Sequence, residues 1–286
     1  MLRIDGLFAT SYWLSAIVMS FPPPQKRLGQ HFLIDPNIVG KILSVAALDR
    51  SETVLEIGPG RGILTRALCE HAGHVIAVEL DARLRAPLEE ALANCAGLDL
   101  RFDDALKFPY ESLPPGTVVV ANLPYYLSSP LLFKLLAVRD RLSRMVLMLQ
   151  AEVADRLIAA PRTRDYGILS VVAAYYAELR IGFRVSRNCF RPRPEVGSAV
   201  VTLRPRSEAP IHVMDEAAFI KTVRAAFAHR RKTIANSLRD EGFDPDLIVD
   251  ALGEVHLDPS RRAETLSLAD FAGLANVLTG RNAFAV

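Results

Sequence analysis

The feature that most restricts the fold of this chain is an alternation of short apolar runs with helical segments. Apolar strands separated by helices are typical of a parallel sheet that is covered on both faces. The sequence therefore predicts the α/β class, with a doubly wound Rossmann-like sheet. The predicted strands are 53–58, 74–80, 98–102, 117–123 and 144–150, and the predicted helices between them are 63–71, 82–95 and 130–142.

The second half of the chain changes character after two more predicted strands. These strands, near 176–185 and 198–204, fit an antiparallel pair at the sheet edge. Residues 204–211 (RPRSEAPI) form a proline-rich, charged linker, and the segments beyond it are helical. We therefore predict a sheet domain over 21–206 and a small all-helical domain over 207–286, as a chain of 286 residues allows.

The first 20 residues contain an uncharged stretch from Phe8 to Met19. It is too short to span a bilayer. Arg3 is offset by Asp5 and no small-residue cleavage site follows, so the stretch does not fit a signal peptide. We expect residues 1–20 to be a poorly ordered or non-native extension, with Met19 as a plausible true start.

Charge and cysteine content exclude some classes of function. The net charge is only +2, but residues 180–206 hold seven arginines and one acidic residue, which indicates a local basic surface. The three cysteines and six histidines are scattered and match no metal-ligand spacing. We expect no metal, no membrane insertion, and a reducing, cytoplasmic location for a monomeric protein.

The first predicted strand ends in EIGPGRG (56–62), and a helix follows at once. A glycine-rich turn at this place lets a nucleotide approach the backbone closely. The turn lacks the Gly-Lys-Ser/Thr of a phosphate-binding loop, and Ile63 stands where the dinucleotide fingerprint has its last glycine. Pro59 also removes one backbone donor from the loop. A ligand without phosphate groups therefore fits this turn better, and S-adenosylmethionine is the common ligand of that kind.

Two acidic residues follow the next two strands. Glu79 ends the second strand, 21 residues beyond Gly58, where a carboxylate accepts from both ribose hydroxyls. Asp104 follows the third strand, where it can accept from the adenine amino group. The glycine turn and the two acids together predict a nucleoside site. The alternative, that both acids are solvated charges at strand ends, stays open.

The fourth strand runs into ANLPYY (121–126), which suits methyl transfer to an exocyclic amine. Such a nitrogen is a poor nucleophile because its lone pair is delocalised into the ring. If the Asn122 side-chain oxygen and the Leu123 carbonyl each accept one N–H, the nitrogen is drawn toward tetrahedral geometry. Pro124 stiffens the turn, and Tyr125 can stack on the base. Positioning and electrostatics supply most of the rate in such a site. Elsewhere in a chain, such a segment would be an ordinary turn.

With these motifs in place, the chain resembles the KsgA/Dim1 family of ribosomal RNA adenine dimethyltransferases over roughly residues 25–275. The blocks that carry the resemblance, besides EIGPGRG and NLPYY, are KRLGQHFL (26–33), LMLQAEVADRL (147–157), YGILSV (166–171), CFRPRPEVGSAVV (189–201) and FAHRRKTIANSL (227–238).

The resemblance implies roles for individual residues. It assigns Phe190 to the target base, opposite Tyr125, although Phe190 could instead plug the core beneath its loop. On sequence alone, His31 would be read as a surface histidine ahead of a helix. Tyr126 stands where the family usually has Asn, so a polar contact from this position is in doubt. The cofactor contacts implied by the family fall on His31, Leu33, Gly58, Glu79, Asp104 and Asn122.

Two clusters of basic residues are candidates for RNA binding. Arg191 and Arg193 flank the proline-rich loop, and the second cluster lies in RAAFAHRRKTIANSL (224–238). A run of charges is usually a solvated face, but an RNA substrate requires phosphate contacts. The candidates in the second cluster are Arg224, Arg230, Arg231 and Lys232.

The function that follows is dimethylation of two adjacent adenosines near the 3′ end of small-subunit ribosomal RNA by S-adenosylmethionine. The expected partner is small-subunit rRNA or the immature small ribosomal subunit. One alternative is an Erm-type dimethylase of large-subunit rRNA, and another is a non-catalytic rRNA-binding assembly factor or the related mitochondrial transcription factor. The AHRRKTIANSL block and the long C-terminal part argue against the first, and the intact NLPY motif argues against the second.

Overall fold

A computed structural model describes residues 21–281 and 283–284 of the chain, so the predicted N-terminal extension lies outside the described residues. The strands are β1 (Phe32–Leu33), β2 (Thr53–Ile57), β3 (His74–Glu79), β4 (Leu98–Phe102), β5 (Thr117–Asn122), β6 (Leu142–Gln150), β7 (Ala177–Val185), β8 (Phe190–Arg191) and β9 (Ser198–Pro205). The α-helices are α1 (Pro36–Ala46), α2 (Ile63–His71), α3 (Arg85–Ala91), α4 (Ser128–Ala137), α5 (Ala151–Leu157), α6 (Ile168–Tyr176), α7 (Glu216–Phe227), α8 (Ile234–Asp240), α9 (Pro245–Glu254) and α10 (Leu268–Gly280).

Seven of the described strands form one sheet in the order β4-β3-β2-β5-β6-β9-β7. The four pairings among β2 to β6 are parallel. The chain moves outward from β2 to β4 and then returns to β5 on the other side of β2. Ligands of open α/β sheets bind at the carboxyl ends of the strands at such a reversal. The predicted doubly wound sheet is confirmed.

Strands β2, β5 and β6 are covered on both faces of the sheet, and their apolar sequences suit this burial. Val54, Val118 and Met148 are buried in one core together with side chains of α1 and α2. Helix α1 begins where Asp35 accepts a hydrogen bond from the Asn37 backbone and Pro36 occupies the first turn. The core therefore fixes the strand ends that carry the motifs.

The remaining two strands form a separate antiparallel pair. Phe32 of β1 lies opposite Arg191 of β8, and Leu33 lies opposite Phe190. This pairing connects two sequence blocks that are about 160 residues apart. It brings the segment before α1 against the proline-rich loop near residue 192.

The chain divides into two compact units. The first comprises residues up to 151 together with 181–202, and the second comprises 152–180 together with residues from 203 onward. This division differs from the contiguous boundary that the sequence predicted at residue 206. The reason is that α6 packs with the C-terminal helices: the Tyr175 and Phe219 rings lie 4.8 Å apart, and the Tyr166 hydroxyl donates to the Leu266 carbonyl oxygen at 2.9 Å.

The C-terminal part is helical, as predicted from its periodicity. Helix α7 packs against α8 and α10. Asp215 caps α7 by accepting from the Ala218 backbone, and Ser267 and Asp270 form a capping box at the start of α10. Phe219 and Phe271 are fully buried between these helices.

Candidate functional site

The glycine turn after β2 forms one wall of a cleft in the first unit. Gly58 and Gly60 have φ angles of +75° and +59°, which favour glycine. A Cβ at Gly60 would lie 2.8 Å from Cδ1 of Phe32, so a larger residue does not fit there. The turn therefore needs glycine both for its backbone conformation and for the close approach of the β1 segment.

Glu79 lies at the carboxyl end of β3 and faces the glycine turn. Its Oε2 accepts from the Gly60 N–H at 3.1 Å, and its Oε1 accepts from the Asp81 N–H at 2.8 Å. The side chain is buried, and this burial raises its pKa above the ordinary value. Each carboxylate oxygen has a further lone pair, so Glu79 can still accept from a ligand.

A second buried carboxylate lies one strand away and was not singled out from the sequence. Glu56 of β2 is 1% exposed, and its Oε2 has no hydrogen-bond partner among the described residues. Burial raises its pKa to about 8, and the charge of Glu79 adds to the shift. Glu56 is therefore mainly protonated at neutral pH.

Asn122 ends β5 and provides a buried acceptor. Its Nδ2 lies 3.5 Å from the His31 carbonyl oxygen, which can only accept. The side-chain Oδ1 is therefore turned away from that carbonyl, and it is buried without a partner in residues 21–281 and 283–284. An unpaired buried acceptor costs free energy and points to a missing donor.

The turn after Asn122 is rigid. The Leu123 N–H donates to the Met148 carbonyl oxygen at 3.1 Å, which ties the turn to β6. The Pro124 carbonyl oxygen accepts from the Leu127 N–H at 3.0 Å and from the Ser128 hydroxyl at 3.1 Å. These bonds hold the backbone of the motif in place at the carboxyl end of β5.

Two aromatic rings meet beside Asn122. The rings of His31 and Tyr125 lie 5.4 Å apart with an angle of 31° between their planes. His31 Nδ1 lies 2.7 Å from the Pro192 carbonyl oxygen, and because a carbonyl only accepts, Nδ1 carries the hydrogen in this bond. The Tyr125 hydroxyl lies 2.8 Å from the Ser198 hydroxyl. Both rings are thus anchored by the segment that runs from β8 to the start of β9.

Most of the predicted site residues lie together in this cleft. Leu33 and Asp104 do not line it in the described structure: the Leu33 side chain is in the core, and Asp104 Oδ1 accepts from the Leu106 N–H at 2.9 Å. The predicted residues that do line it are His31, Gly58, Glu79, Asn122, Leu123, Pro124 and Tyr125.

Phe190 does not take the position that the resemblance implied. Its ring is fully buried in the core with Ile38, Val39 and Val185, because β8 turns it inward opposite Leu33. In this structure it offers no face to a base beside Tyr125. The alternative, that Phe190 plugs the core beneath its loop, is the arrangement observed.

The segment before β1 forms a wall that sequence reasoning missed. Gln25 and Gln30 each donate to Asp81 Oδ2, at 3.1 and 2.9 Å. The Arg61 guanidinium lies over the Phe32 ring, 4.9 Å from its centroid. Gln30 belongs to a quoted sequence block, and Asp81 lies two residues after Glu79, but nothing in the sequence shows that they bond.

Tyr126 also lines the cleft, and its side chain is 48% exposed. Burial of part of the ring raises the pKa of its hydroxyl, and the charges of Asp104 and Glu79 add to the shift. Tyr126 thus stands near both acids that the sequence assigned to a nucleoside, although Asp104 lies outside the cleft lining.

The predicted basic residues lie on the surface of both units. Arg191, at the end of β8, and Arg193, on the loop that follows, are exposed in the first unit. In the second unit, Arg230 and Lys232 line a cavity of about 450 Å³ together with Arg156, Arg164 and other residues. Lys232 is already paired with Asp240, so part of its charge is compensated. Arg224 and Arg231 are exposed as well.

The described residues show no group of three or more His, Cys, Asp or Glu side chains that could hold a metal ion. In the same part of the chain, no helix has the length and apolar character needed to cross a membrane.

Comparison with solved structures defines the class of protein. The chain is similar to a dimethyladenosine transferase from Plasmodium falciparum, with a TM-score of 0.75 and 27% identity over 88% of this chain and 99% of that one. It is also similar to the 23S rRNA methyltransferase ErmE, with a TM-score of 0.65 and 27% identity over 87% and 99%. The fold is that of a Rossmann-like methyltransferase.

Sequence comparison then gives the family. The model of the ribosomal RNA adenine dimethylase family matches residues 24–279, and the chain belongs to this family. A ribosomal RNA small subunit methyltransferase A from Moorella thermoacetica is 46% identical over 89% of this chain and 92% of its own length. A protein of the same name from Geobacillus thermodenitrificans is 43% identical, over 89% and 90%.

Proposed function

We propose that this enzyme transfers methyl groups from S-adenosylmethionine to the exocyclic amines of two adjacent adenosines near the 3′ end of small-subunit rRNA. The observation that carries the proposal is the buried Oδ1 of Asn122 at the edge of the cleft, which has no hydrogen-bond partner among the described residues. The N–H groups of an exocyclic amine can supply the hydrogen-bond donor that this acceptor lacks. Family membership supports the same chemistry.

The residues of the cleft fit the nucleoside part of the cofactor. Glu79 offers a buried carboxylate to the ribose hydroxyls, and the glycine turn allows close approach of a ligand to the backbone. His31 and Gly58 complete this wall. Leu33 contributes through its main chain, because its side chain belongs to the core. Asp104, which follows β4, is proposed to accept from the adenine amino group. When bound, the cofactor supplies an electrophilic methyl group.

Asn122 and Leu123 act on the target amine. The Asn122 Oδ1 and the Leu123 carbonyl each accept one N–H, which draws the nitrogen toward tetrahedral geometry and frees its lone pair. Pro124 keeps the two acceptors in a fixed turn. Tyr125 stacks on the base. No strong base is needed because the methylated ammonium readily loses its proton, so these residues act mainly by positioning.

The exposed arginines bind the RNA backbone. Arg191 and Arg193 lie on the segment from β8 to the start of β9 that anchors His31 and Tyr125, so positive charge lies beside the cleft. In the second unit, Arg224, Arg230 and Arg231 provide further phosphate contacts, with Lys232 free to join them when it leaves Asp240. Phe190 has a packing role instead of a stacking role in this proposal.

The choice of small-subunit rRNA as substrate is supported by sequence distance. The relatives named for small-subunit methylation are 43–46% identical to this chain, whereas ErmE, named for 23S rRNA, is 27% identical. The substrate is the immature small ribosomal subunit, which places the enzyme in the cytoplasm. We propose that it acts as a monomer.

The test is incubation of the purified protein with methyl-labelled S-adenosylmethionine and with unmethylated small or large ribosomal subunits in separate reactions. We expect dimethyladenosine at two adjacent positions near the 3′ end of the small-subunit rRNA. Label confined to the large subunit would favour the Erm-type activity, and the absence of label from both would contradict the proposal.

A further inference from the structure

We infer that Ser198 is a positioning residue for methyl transfer, which it serves by holding the ring of Tyr125 at the target base. This inference rests on the function proposed above. Ser198 is the first residue of β9, and its hydroxyl lies 2.8 Å from that of Tyr125, 73 residues away in the sequence.

The bond has the usual length of a hydroxyl–hydroxyl hydrogen bond, is partly buried, and is made to a well-fixed partner. Ser198 is 1% exposed. Just before it, the Gly197 carbonyl oxygen accepts from the Ala151 N–H at 3.0 Å, which fixes the start of β9 to the end of β6. Tyr125 lies in the short 3₁₀ turn that follows Pro124. Removing the Tyr125 hydroxyl would leave the buried Ser198 hydroxyl without this partner, which costs free energy.

The bond acts at the far end of the Tyr125 ring. The backbone of the NLPY turn is held by its own hydrogen bonds, but these leave the side-chain torsions of Tyr125 unrestrained. The Ser198 bond at the phenol oxygen restrains them. The His31 ring packs against the same ring, with 5.4 Å between the two ring centroids. Small errors in the position of a reacting group have large effects on rate, so an anchor on a stacking ring acts on catalysis.

One short segment, from β8 to the start of β9, holds both rings. Its Pro192 carbonyl oxygen fixes His31, and Ser198 fixes Tyr125. The segment also carries Arg191 and Arg193, which are proposed to bind RNA phosphates. The two arginines and Ser198 thus lie on one short segment beside the stacking ring.

The experiment is a double-mutant cycle of Ser198→Ala and Tyr125→Phe, both of which remove this one hydrogen bond. The measured quantity is the single-turnover rate on unmethylated small subunits at saturating cofactor and RNA. We expect each single variant to be slower by about 2- to 10-fold, the scale of one net hydrogen bond. We expect the double variant to be no slower than the slower single variant, since all three lack the same bond.

Controls separate positioning from stability. Ser237 is as deeply buried as Ser198, and its hydroxyl donates to the Ala225 carbonyl oxygen at 2.7 Å in the second unit. We expect Ser237→Ala to lower the melting temperature without changing the single-turnover rate. A purely structural role for Ser198 predicts the same behaviour for Ser198→Ala.

The inference is overturned if Ser198→Ala turns over at the wild-type rate, or if the two substitutions slow the reaction multiplicatively. Its failure differs from failure of the proposed function. If the wild-type protein methylates small subunits and Asn122→Ala does not, while Ser198→Ala is unimpaired, only the Ser198 inference fails. If the wild-type protein transfers no methyl group to small subunits, the proposed function itself fails.

Discussion

Replacing Glu79 tests the cofactor site, because this carboxylate is central to the cleft. In Glu79→Ala, a ligand ribose would lose a charge-assisted hydrogen-bond acceptor. Such a contact contributes about 1.5–3 kcal/mol, so we expect S-adenosylmethionine to bind roughly 10- to 150-fold more weakly. Calorimetric titration of the cofactor into the purified variant measures this change directly.

The structure adds a second expectation for the same variant. Glu79 accepts from the backbone N–H groups of Gly60 and Asp81, so alanine leaves two buried donors unpaired. Each costs about 1–3 kcal/mol, and the melting temperature should fall. Glu79→Gln keeps one acceptor oxygen and the side-chain volume. It should be more stable than Glu79→Ala and still bind the cofactor more weakly than the wild type.

Glu89→Ala is the matched control, because Glu89 is an exposed acid on α3 that pairs with Arg85 and is not among the described residues that line the cleft. It should bind the cofactor as the wild type does. If folded Glu79→Ala binds S-adenosylmethionine with unchanged affinity, Glu79 has no part in the site and the cofactor would have to bind elsewhere.

Two further predictions concern pH and salt. Because the pKa of Glu56 is raised to about 8 in the folded state, the unfolded chain loses this proton near pH 4.5 while the folded chain keeps it. Relative to Glu56→Gln, the wild-type unfolding free energy should therefore fall by about 1.4 kcal/mol per pH unit between pH 5 and 8. Urea unfolding at several pH values checks this, and parallel profiles would contradict it. The logarithm of RNA affinity falls linearly with the logarithm of salt concentration, and replacing Arg230 and Arg231 by Gln should make this slope less steep by about 1–2. Filter binding at several salt concentrations measures the slope. Arg281→Gln, whose charge is paired with Asp250 and Glu254, should leave that slope unchanged, and an unchanged slope in the double variant would remove both arginines from the interface.

The centre of the sheet could be predicted from sequence because β2, β3 and β5 are buried on both faces. Such strands are largely apolar, and each predicted run from residue 53 to 150, including the partly exposed β4, corresponds to a strand. The cofactor turn was predictable for a related reason: its glycines have backbone angles or close contacts that exclude side chains, as at Gly60. Constraints of this kind act on a single segment, so the residue types of that segment are enough to predict them.

What the sequence could not show depends on contacts between distant segments. Phe190 lies among arginines and prolines, which suggested an exposed loop, but its pairing opposite Leu33 turns it into the core. The bonds from Gln25 and Gln30 to Asp81 and the bond from Tyr125 to Ser198 join residues more than 50 positions apart. The grouping of α5 and α6 with the C-terminal helices has no boundary signal in the sequence either.

The measurement that tests the central claim most directly is the single-turnover rate of Asn122→Ala at saturating S-adenosylmethionine and small-subunit RNA. The Oδ1 of Asn122 lines the cleft and is buried without a hydrogen-bond partner among the described residues, which is the basis for proposing an amine substrate. We expect a loss of roughly 100-fold or more in methyl transfer, the usual scale for a positioned polar group at a reacting centre. RNA affinity should change little, because most of it comes from distant phosphate contacts. A rate near that of the wild type would contradict the proposed mechanism and require a different catalytic site.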